Sequence, residues 1–200
     1  MAERRRGNLA TLPNLLGLGR IIATPVIMVL LLADWPGSSL AGGVLFVVAA
    51  LSDFLDGWIA RARNQVSPLG VFMDLAADKV LVAGVLIAMV EIGLVPTWMA
   101  ATILIREFVV QAVRQLAAVE DVVISARALG KAKTLTTLVG LALLFLASDA
   151  ATGGPMSGTA AATALDAIGF WVMVLATVLT VVSGFVYLRG AWPILVGSAT

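Results

Sequence analysis

Apolar runs recur along the whole chain, separated by short polar stretches that contain glycine, proline or charged residues. Each run is long enough to cross a hydrocarbon core of about 30 Å as a helix. Turn-forming stretches, such as DWPGSS after the first run and NQVSP after the second, mark where helices end. The pattern predicts six membrane-spanning helices, at residues 12–32, 40–62, 69–90, 97–118, 128–146 and 165–188.

Composition favours a single membrane domain. Charged residues make up 12% of the chain and hydrophobic residues 60%, whereas soluble domains carry about 25% charged residues. We expect an all-α polytopic membrane protein with residues 1–200 in one domain, including a cytosolic tail at 1–8 and a C-terminal tail at 190–200. The basic start has no small-residue cleavage site after its apolar run, so we expect it to be retained. No nucleic-acid partner is expected.

Charges are distributed unevenly between the two predicted membrane faces. All 13 lysines and arginines lie at or toward one face in the six-helix arrangement. The opposite loops carry Asp34, Glu91, Asp149 and Asp166, and no basic residue. Since basic loops stay inside, the basic face is predicted to be cytosolic. An even number of helices then places both termini in the cytosol, with the protein in the cell (inner or plasma) membrane.

The absence of two residue types narrows the chemistry. The chain has no cysteine, which excludes disulfides and thiolate metal sites. It has no histidine either, which removes the usual imidazole base and the usual zinc ligand. Acid–base chemistry must therefore fall to carboxylate, lysine, tyrosine or water.

Four aspartates lie in the segment that joins the second and third predicted helices, DFLDGWIARARNQVSPLGVFMDLAAD at residues 53–78. Asp53 and Asp56 are three residues apart and Asp74 and Asp78 are four apart, so each pair shares a helix face. The two helices are expected to be antiparallel neighbours, which lets the four carboxylates converge. Their repulsion at low dielectric would be relieved by two divalent cations that prefer oxygen ligands, Mg²⁺, Mn²⁺ or Ca²⁺. Two-metal carboxylate sites typically serve phosphoryl transfer.

Two glycines and an arginine belong to the same segment. At Gly57 and Gly70 the missing side chain lets a ligand or another backbone approach closely. Close helix packing would explain either glycine alone. Arg61 could contact a phosphate oxygen or a metal-bound carboxylate. Together with the four acids, these residues favour a functional site over packing alone.

The segment resembles the signature of the CDP-alcohol phosphatidyltransferase family, D-x2-D-G-x2-A-R-x8-G-x3-D-x3-D. The eight fixed positions are matched by Asp53, Asp56, Gly57, Ala60, Arg61, Gly70, Asp74 and Asp78. The resemblance implies a membrane-bound enzyme with six helices, usually a homodimer, whose active site faces the cytosol. It also implies a cofactor of two Mg²⁺ or Mn²⁺ ions per active site.

The resemblance further implies a role for individual residues. Asp53, Asp56 and Asp74 are expected to be metal ligands, and Asp78 both a ligand and the general base. The residues expected to contact the CDP-linked lipid are Asn14, Gly17, Gly57, Arg61, Ser67 and Gly70. The family usually has threonine where this chain has Gly17, so a hydroxyl contact to the nucleotide is missing here.

The resemblance extends to the phosphatidylglycerophosphate synthases of this family, over NLATLPNLLGLGR, REFVVQAVRQLAA and VVISARALGKAKT. It implies transfer of the phosphatidyl group from CDP-diacylglycerol to sn-glycerol 3-phosphate, among membrane lipids. The residues expected to bind the acceptor phosphate are Arg106, Arg114, Lys131 and Lys133. An arginine inside an apolar helix, such as Arg106, needs a partner. Glu107, Glu120 and Asp121 can neutralise only some of these cations.

Three alternatives stay open. A cardiolipin synthase would use phosphatidylglycerol as acceptor, but it needs no compact phosphate pocket and the basic residues count against it. An enzyme that uses an inositol phosphate would share those basic residues. A cation transporter could use the four acids as an ion path, although the acids lie toward one face and no internal repeat is evident.

Overall fold

The computed structural model describes residues 12–62, 68–119, 127–159 and 161–196. Within these ranges the regular elements are six α-helices: α1 Leu12–Leu32, α2 Ser38–Ala62, α3 Pro68–Glu91, α4 Thr97–Val119, α5 Arg127–Ala151 and α6 Ala162–Leu195. The predicted all-α class is confirmed, and each helix coincides with a predicted span to within a few residues at most ends. The exceptions are α5, which continues past the predicted end at residue 146 to Ala151, and α6, which continues past the predicted end at residue 188 because mostly apolar residues follow Arg189. Residues 190–195 of the predicted C-terminal tail are therefore helical, whereas the predicted N-terminal tail lies outside the described residues.

Three helices in the described parts of the chain are long and apolar enough to cross a membrane, over Asn14–Leu32, Ala128–Ala151 and Ala164–Pro193. The apolar part of α2, Ser38–Ser52, is shorter. The α4 helix carries three charged residues, Arg106, Glu107 and Arg114, and is not among these three helices. The fold is thus a helical membrane protein, while the count of six crossings stays a prediction.

Large apolar side chains cover the outside of the helices. Those that are at least 60% exposed include Ile22, Val29, Phe72, Ile105, Trp171 and Phe185. Soluble monomers rarely expose apolar surface on this scale. A hydrocarbon environment explains the pattern, since such side chains lose nothing by facing lipid.

Glycines let the helices approach closely around the buried core. A Cβ at Gly43 of α2 would be 2.9 Å from the Cβ of Phe145 on α5. The Phe145 ring is fully buried, with its centroid 5.6 Å from that of Phe46. On the other side of the core, Gly84 of α3 lies directly against Thr24 of α1. The resulting arrangement packs α2 on α5 and α1 on α3, and it also packs α5 and α4 on α6.

A glycine turn ends α3 and returns the chain into α4. Gly93 has a φ of +77°. Glycine adopts this conformation without steric strain because it has no Cβ. The N–H of Gly93 donates to Val90 O at 3.1 Å, and the N–H of Leu94 donates to Met89 O at 3.0 Å. This pair of bonds satisfies the last carbonyls of α3 and places α4 beside α3.

Asp149 was expected in a loop on the acidic face, but it lies in the last turn of α5 and is fully buried. Its Oδ2 accepts the Met156 N–H at 2.9 Å. Gly154 passes so close that any Cβ at that position would overlap the Asp149 carboxylate. The acid therefore organises the connection between α5 and α6.

Candidate active site

The four aspartates lie at matching levels on two consecutive helices. Asp56 is six residues before the end of α2, and Asp74 is six residues after the start of α3. At ~1.5 Å of rise per residue, each is about 9 Å along its helix from the link at residues 63–67. Asp53 and Asp78 lie about one turn further along their helices. The helices α2 and α3 contact each other, and convergence of the four carboxylates stays a prediction.

Asp78 is the member of this set whose side chain is described. Its carboxylate is 41% exposed, and Oδ2 lies 3.9 Å from the Nζ of Lys79. The side chains of Asp53, Asp56, Asp74 and Arg61, the surroundings of Gly57 and Gly70, and all of Ser67 lie outside the described residues. Their predicted roles in binding metal or CDP-lipid stay predictions.

The two first-helix residues are buried beside the start of α3. Asn14 is 3% exposed. A Cβ at Gly17 would lie 3.7 Å from the backbone carbonyl of Met73, the residue that precedes Asp74. Position 17 thus faces the backbone of the acidic segment, and the glycine serves the contact between α1 and α3. A contact from Asn14 or Gly17 to the nucleotide stays a prediction.

Four charged side chains from three helices form what we call the ion cluster: Lys79 of α3, Arg106 and Glu107 of α4, and Lys133 of α5. Glu107 Oε1 accepts from Arg106 Nη1 at 3.0 Å and also from Lys133 Nζ, while Oε2 accepts from Lys79 Nζ. The Glu107 side chain is only 10% exposed. Three cations and one carboxylate leave the ion cluster with a surplus of two positive charges.

Arg106 is held from a third side by α6. Its Nη2 donates to Ser183 Oγ at 3.0 Å. Gly184 makes room for the arginine stem, since a Cβ there would be 2.9 Å from Arg106 Cγ. The expectation that Arg106 has an interior partner is confirmed, and the partners are Glu107 and Ser183.

The structure does not bring together all four residues predicted to bind the acceptor phosphate. Arg106 and Lys133 meet in the ion cluster. Lys131 is exposed. Residues two positions apart on a helix point about 200° away from each other, so Lys131 faces away from the side of α5 on which Lys133 lies. Arg114 is also exposed, with its Cζ 5.8 Å from the ring centroid of Tyr187 on α6, a distance typical of a cation–π contact.

A cavity between α3, α4 and α5 joins Asp78 to the ion cluster. The cavity is partly open to the surroundings. Its polar lining consists of Asp78, Lys79, Glu107, Lys133, Thr134 and Thr137, and its apolar lining of Val82, Ile103, Leu104 and Phe108. The predicted base therefore shares one pocket with Lys79 and Lys133, whereas Arg106 is not part of the pocket lining.

Sequence reasoning did not assign Lys79 to the site and treated Glu107 only as a counter-charge. Both residues stand inside otherwise apolar helices, directly after Asp78 and Arg106 respectively. The cost of placing a charge in such a helix was the signal that could have identified them.

The acidic segment fits hard divalent cations by its chemistry. Its candidate donors are carboxylates alone, and oxygen ligands suit Mg²⁺ and Mn²⁺. Among the described side chains no three acidic groups come together as a metal site, and three of the four aspartates are not in that set. Asp53, Asp56, Asp74 and Asp78 are the residues that would hold the ions, which would supply neutralisation of phosphate charge.

Known proteins match this chain over nearly its whole length. A family model for CDP-alcohol phosphatidyltransferase matches residues 10–182. A CDP-diacylglycerol--glycerol-3-phosphate 3-phosphatidyltransferase of Bacillus subtilis (strain 168) is 39% identical over 147 residues, which are 68% of this chain and 76% of the relative. A protein of the same name from Rickettsia bellii (strain RML369-C) is 34% identical over 178 residues, 89% of this chain and 93% of the relative.

A relative with a different printed name also matches. Cardiolipin synthase (CMP-forming) of Oryza sativa subsp. japonica is 32% identical over 201 residues, 94% of this chain and 59% of the relative. The family match runs from α1 into most of α6 and includes the whole acidic segment. The chain is therefore an enzyme that belongs to the CDP-alcohol phosphatidyltransferase family.

Proposed function

We propose that this enzyme transfers the phosphatidyl group from CDP-diacylglycerol to sn-glycerol 3-phosphate, giving phosphatidylglycerophosphate and CMP in phospholipid biosynthesis. Relatives of that printed name, similar over most of the chain, support the assignment. The observation that carries it is the position of Lys79, Glu107 and Lys133 of the ion cluster in the same cavity as Asp78.

The charge of the ion cluster suits a phosphorylated acceptor. A phosphate monoester carries about −1.5 to −2 at pH 7, opposite in sign to the surplus positive charge, which is two for the ion cluster and one when the Asp78 carboxylate 3.9 Å from Lys79 Nζ is counted. Lys79 and Lys133 line the cavity and would offer point charges to the phosphate, while Arg106, which lies outside the cavity lining, holds Glu107. The headgroup of phosphatidylglycerol carries a single negative charge, on its phosphodiester, and so would match the positive charge of the ion cluster less well.

The reaction is proposed to be a direct, in-line transfer. Asp78 takes the proton of the acceptor hydroxyl while the oxygen of that hydroxyl forms a bond to phosphorus. The bond between phosphorus and CMP breaks, and CMP leaves with the electron pair. A carboxylate is a weak base for an alcohol, so close positioning in the cavity has to contribute. Bound divalent cations would neutralise the pyrophosphate and polarise the hydroxyl. Inversion at phosphorus is expected, whereas retention or an isolable lipid-phosphoryl enzyme would refute direct transfer.

The membrane arrangement is part of the proposal. Six crossings with both termini in the cytosol would place the acidic segment at the cytosolic face, where CDP-lipid headgroups and soluble glycerol phosphate meet. The distribution of basic residues supports this orientation. We also propose a homodimer, in keeping with the family.

An acceptor panel tests the function. Purified enzyme is supplied with CDP-diacylglycerol and Mg²⁺, and CMP release is measured with glycerol 3-phosphate, phosphatidylglycerol or an inositol phosphate added singly. Release that depends on glycerol 3-phosphate is expected. Release with phosphatidylglycerol alone would instead favour the cardiolipin synthase reading, which the Oryza sativa relative keeps in view. Metal-dependent release of CMP with any acceptor would exclude the transporter.

A further inference from the structure

Glu107 is the anion that holds the ion cluster together. Its two carboxylate oxygens accept from Lys79, Arg106 and Lys133, which belong to three different helices. All four side chains are largely buried, and Lys133 is only 9% exposed. Beyond this cluster, α4 packs mainly on α6 and only lightly on α3. The carboxylate therefore links helices that have few other contacts at this level.

Three cations that are largely removed from solvent favour a neighbouring anion at every stage of turnover. Unpaired buried charge is strongly unfavourable, because the lost hydration is not repaid. Before an acceptor binds, and after the product leaves, no substrate phosphate is available to pair with them. Among the described residues, Glu107 is the carboxylate placed to contact all three.

We propose that Glu107 is a positioning residue that acts as an internal anion, with which the acceptor phosphate competes for Lys79 and Lys133. The inference rests on the proposed function, since it takes the phosphate to be that of the acceptor. Each lysine ammonium carries three donors, so the phosphate can take over some contacts while Arg106 keeps its bond to Glu107.

The same competition explains how the product leaves. Phosphatidylglycerophosphate keeps the terminal phosphate of its acceptor, so it would stay bound to the cations that recognised glycerol phosphate. The return of the lysines to Glu107 offsets that attraction and resets the site. Glu107 thus weakens acceptor binding in exchange for faster turnover.

The test compares wild type with Glu107→Gln and Glu107→Asp as full-length enzymes in lipid-containing detergent. The probe is inorganic phosphate, scored as an inhibitor competitive with glycerol 3-phosphate and by phosphate-dependent thermal stabilisation. Glu107→Gln should bind phosphate roughly tenfold more tightly, or about 1.4 kcal/mol, and should lower both KM and kcat. Glu107→Asp keeps the negative charge, so its phosphate affinity, KM and kcat should all lie closer to those of the wild type. A folded Glu107→Gln enzyme that binds phosphate no more tightly, or more weakly, would overturn the proposal.

A second comparison covers the case in which Glu107→Gln does not fold. Lys79→Met removes one cation, and Lys79→Met with Glu107→Gln removes the carboxylate as well, which restores the surplus of two. The double variant should bind inorganic phosphate roughly tenfold more tightly than Lys79→Met alone. Equal binding by the two would refute competition by Glu107.

These outcomes are separate from the test of function. Thermal stabilisation by inorganic phosphate needs no turnover, so it reports on Glu107 whichever alcohol the enzyme uses. Failure of wild type to use glycerol 3-phosphate would refute the proposed function alone. Normal use of glycerol 3-phosphate with unchanged phosphate binding in the Glu107 variants would refute the inference alone.

Discussion

Gly184 offers a way to move Arg106 without altering any charged residue. A Cβ at position 184 would be 2.9 Å from Arg106 Cγ and 3.5 Å from its Nε, whereas carbon atoms pack at about 3.5–4.0 Å. Gly184→Ala should therefore force the arginine stem to rotate. The guanidinium would then lose its 3.0 Å bonds to Ser183, to Glu107, or to both.

The size of the effect follows from those bonds. A hydrogen bond that involves a charged group contributes about 1.5–3 kcal/mol, and each 1.4 kcal/mol is about tenfold in affinity. If Arg106 orients Glu107 and, through it, the lysines that bind the acceptor phosphate, Gly184→Ala should raise KM for glycerol 3-phosphate by about 10–100-fold. KM for CDP-diacylglycerol should change little, because the acidic segment lies on α2 and α3.

The assay is steady-state CMP release with each substrate varied in turn. Gly169→Ala is the matched control, since it adds the same atom to the same helix and places it 2.9 Å from Leu144 Cδ2. Both variants should lose about 1–3 kcal/mol of stability by overpacking. Only Gly184→Ala should raise KM for the acceptor.

Two results would refute the reasoning. One is a folded Gly184→Ala enzyme with an unchanged KM for glycerol 3-phosphate. The other is an equal rise in the KM for glycerol 3-phosphate in Gly169→Ala. That result would mean that general loosening of α6, rather than the position of Arg106, explains the effect.

Further predictions address the base, the metal, the lysines and the fold. Asp78→Asn should lower kcat by about 10²–10⁴-fold in CMP release, and near-normal turnover would exclude it as the base. Chelation should abolish CMP release and Mg²⁺ or Mn²⁺ should restore it; activity in chelator would contradict the metal site. Lys133→Met should raise KM for the acceptor about tenfold more than Lys131→Met, since only Lys133 lies in the ion cluster, and equal effects would argue against that geometry. Gly154→Ala should lower stability by about 1–3 kcal/mol in thermal unfolding with unchanged KM values, because it disturbs Asp149; a neutral effect would contradict the buried contact.

Helix positions were predictable because they depend on local features. Apolar runs, prolines and turn residues are read from neighbouring positions, and the predicted and observed helices agree at most ends. The sixth helix was predicted to end at residue 188, whereas α6 continues to Leu195 because mostly apolar residues follow Arg189. In the structure Tyr187 is buried beneath Arg114 rather than at a helix end.

The acidic segment was predictable for the same reason. Its spacing places each pair of aspartates on one helix face, and α2 and α3 contact each other in the structure. The family match agrees with the segment as a signature. Its metal and CDP-lipid contacts stay predictions, since they depend on how separate helices meet.

By itself the sequence determined six helices, a membrane setting and the acidic signature, because each is encoded in residues close together along the chain. Only the tertiary structure decided which basic residues share a site. Lys79, Arg106 and Lys133 are far apart in sequence and meet because three helices pack around Glu107. Lys131 is only two residues from Lys133, yet helical rotation directs it elsewhere. The cost of burying charge explains why these cations are paired with a carboxylate, and the packing of the helices determines where the pairs lie.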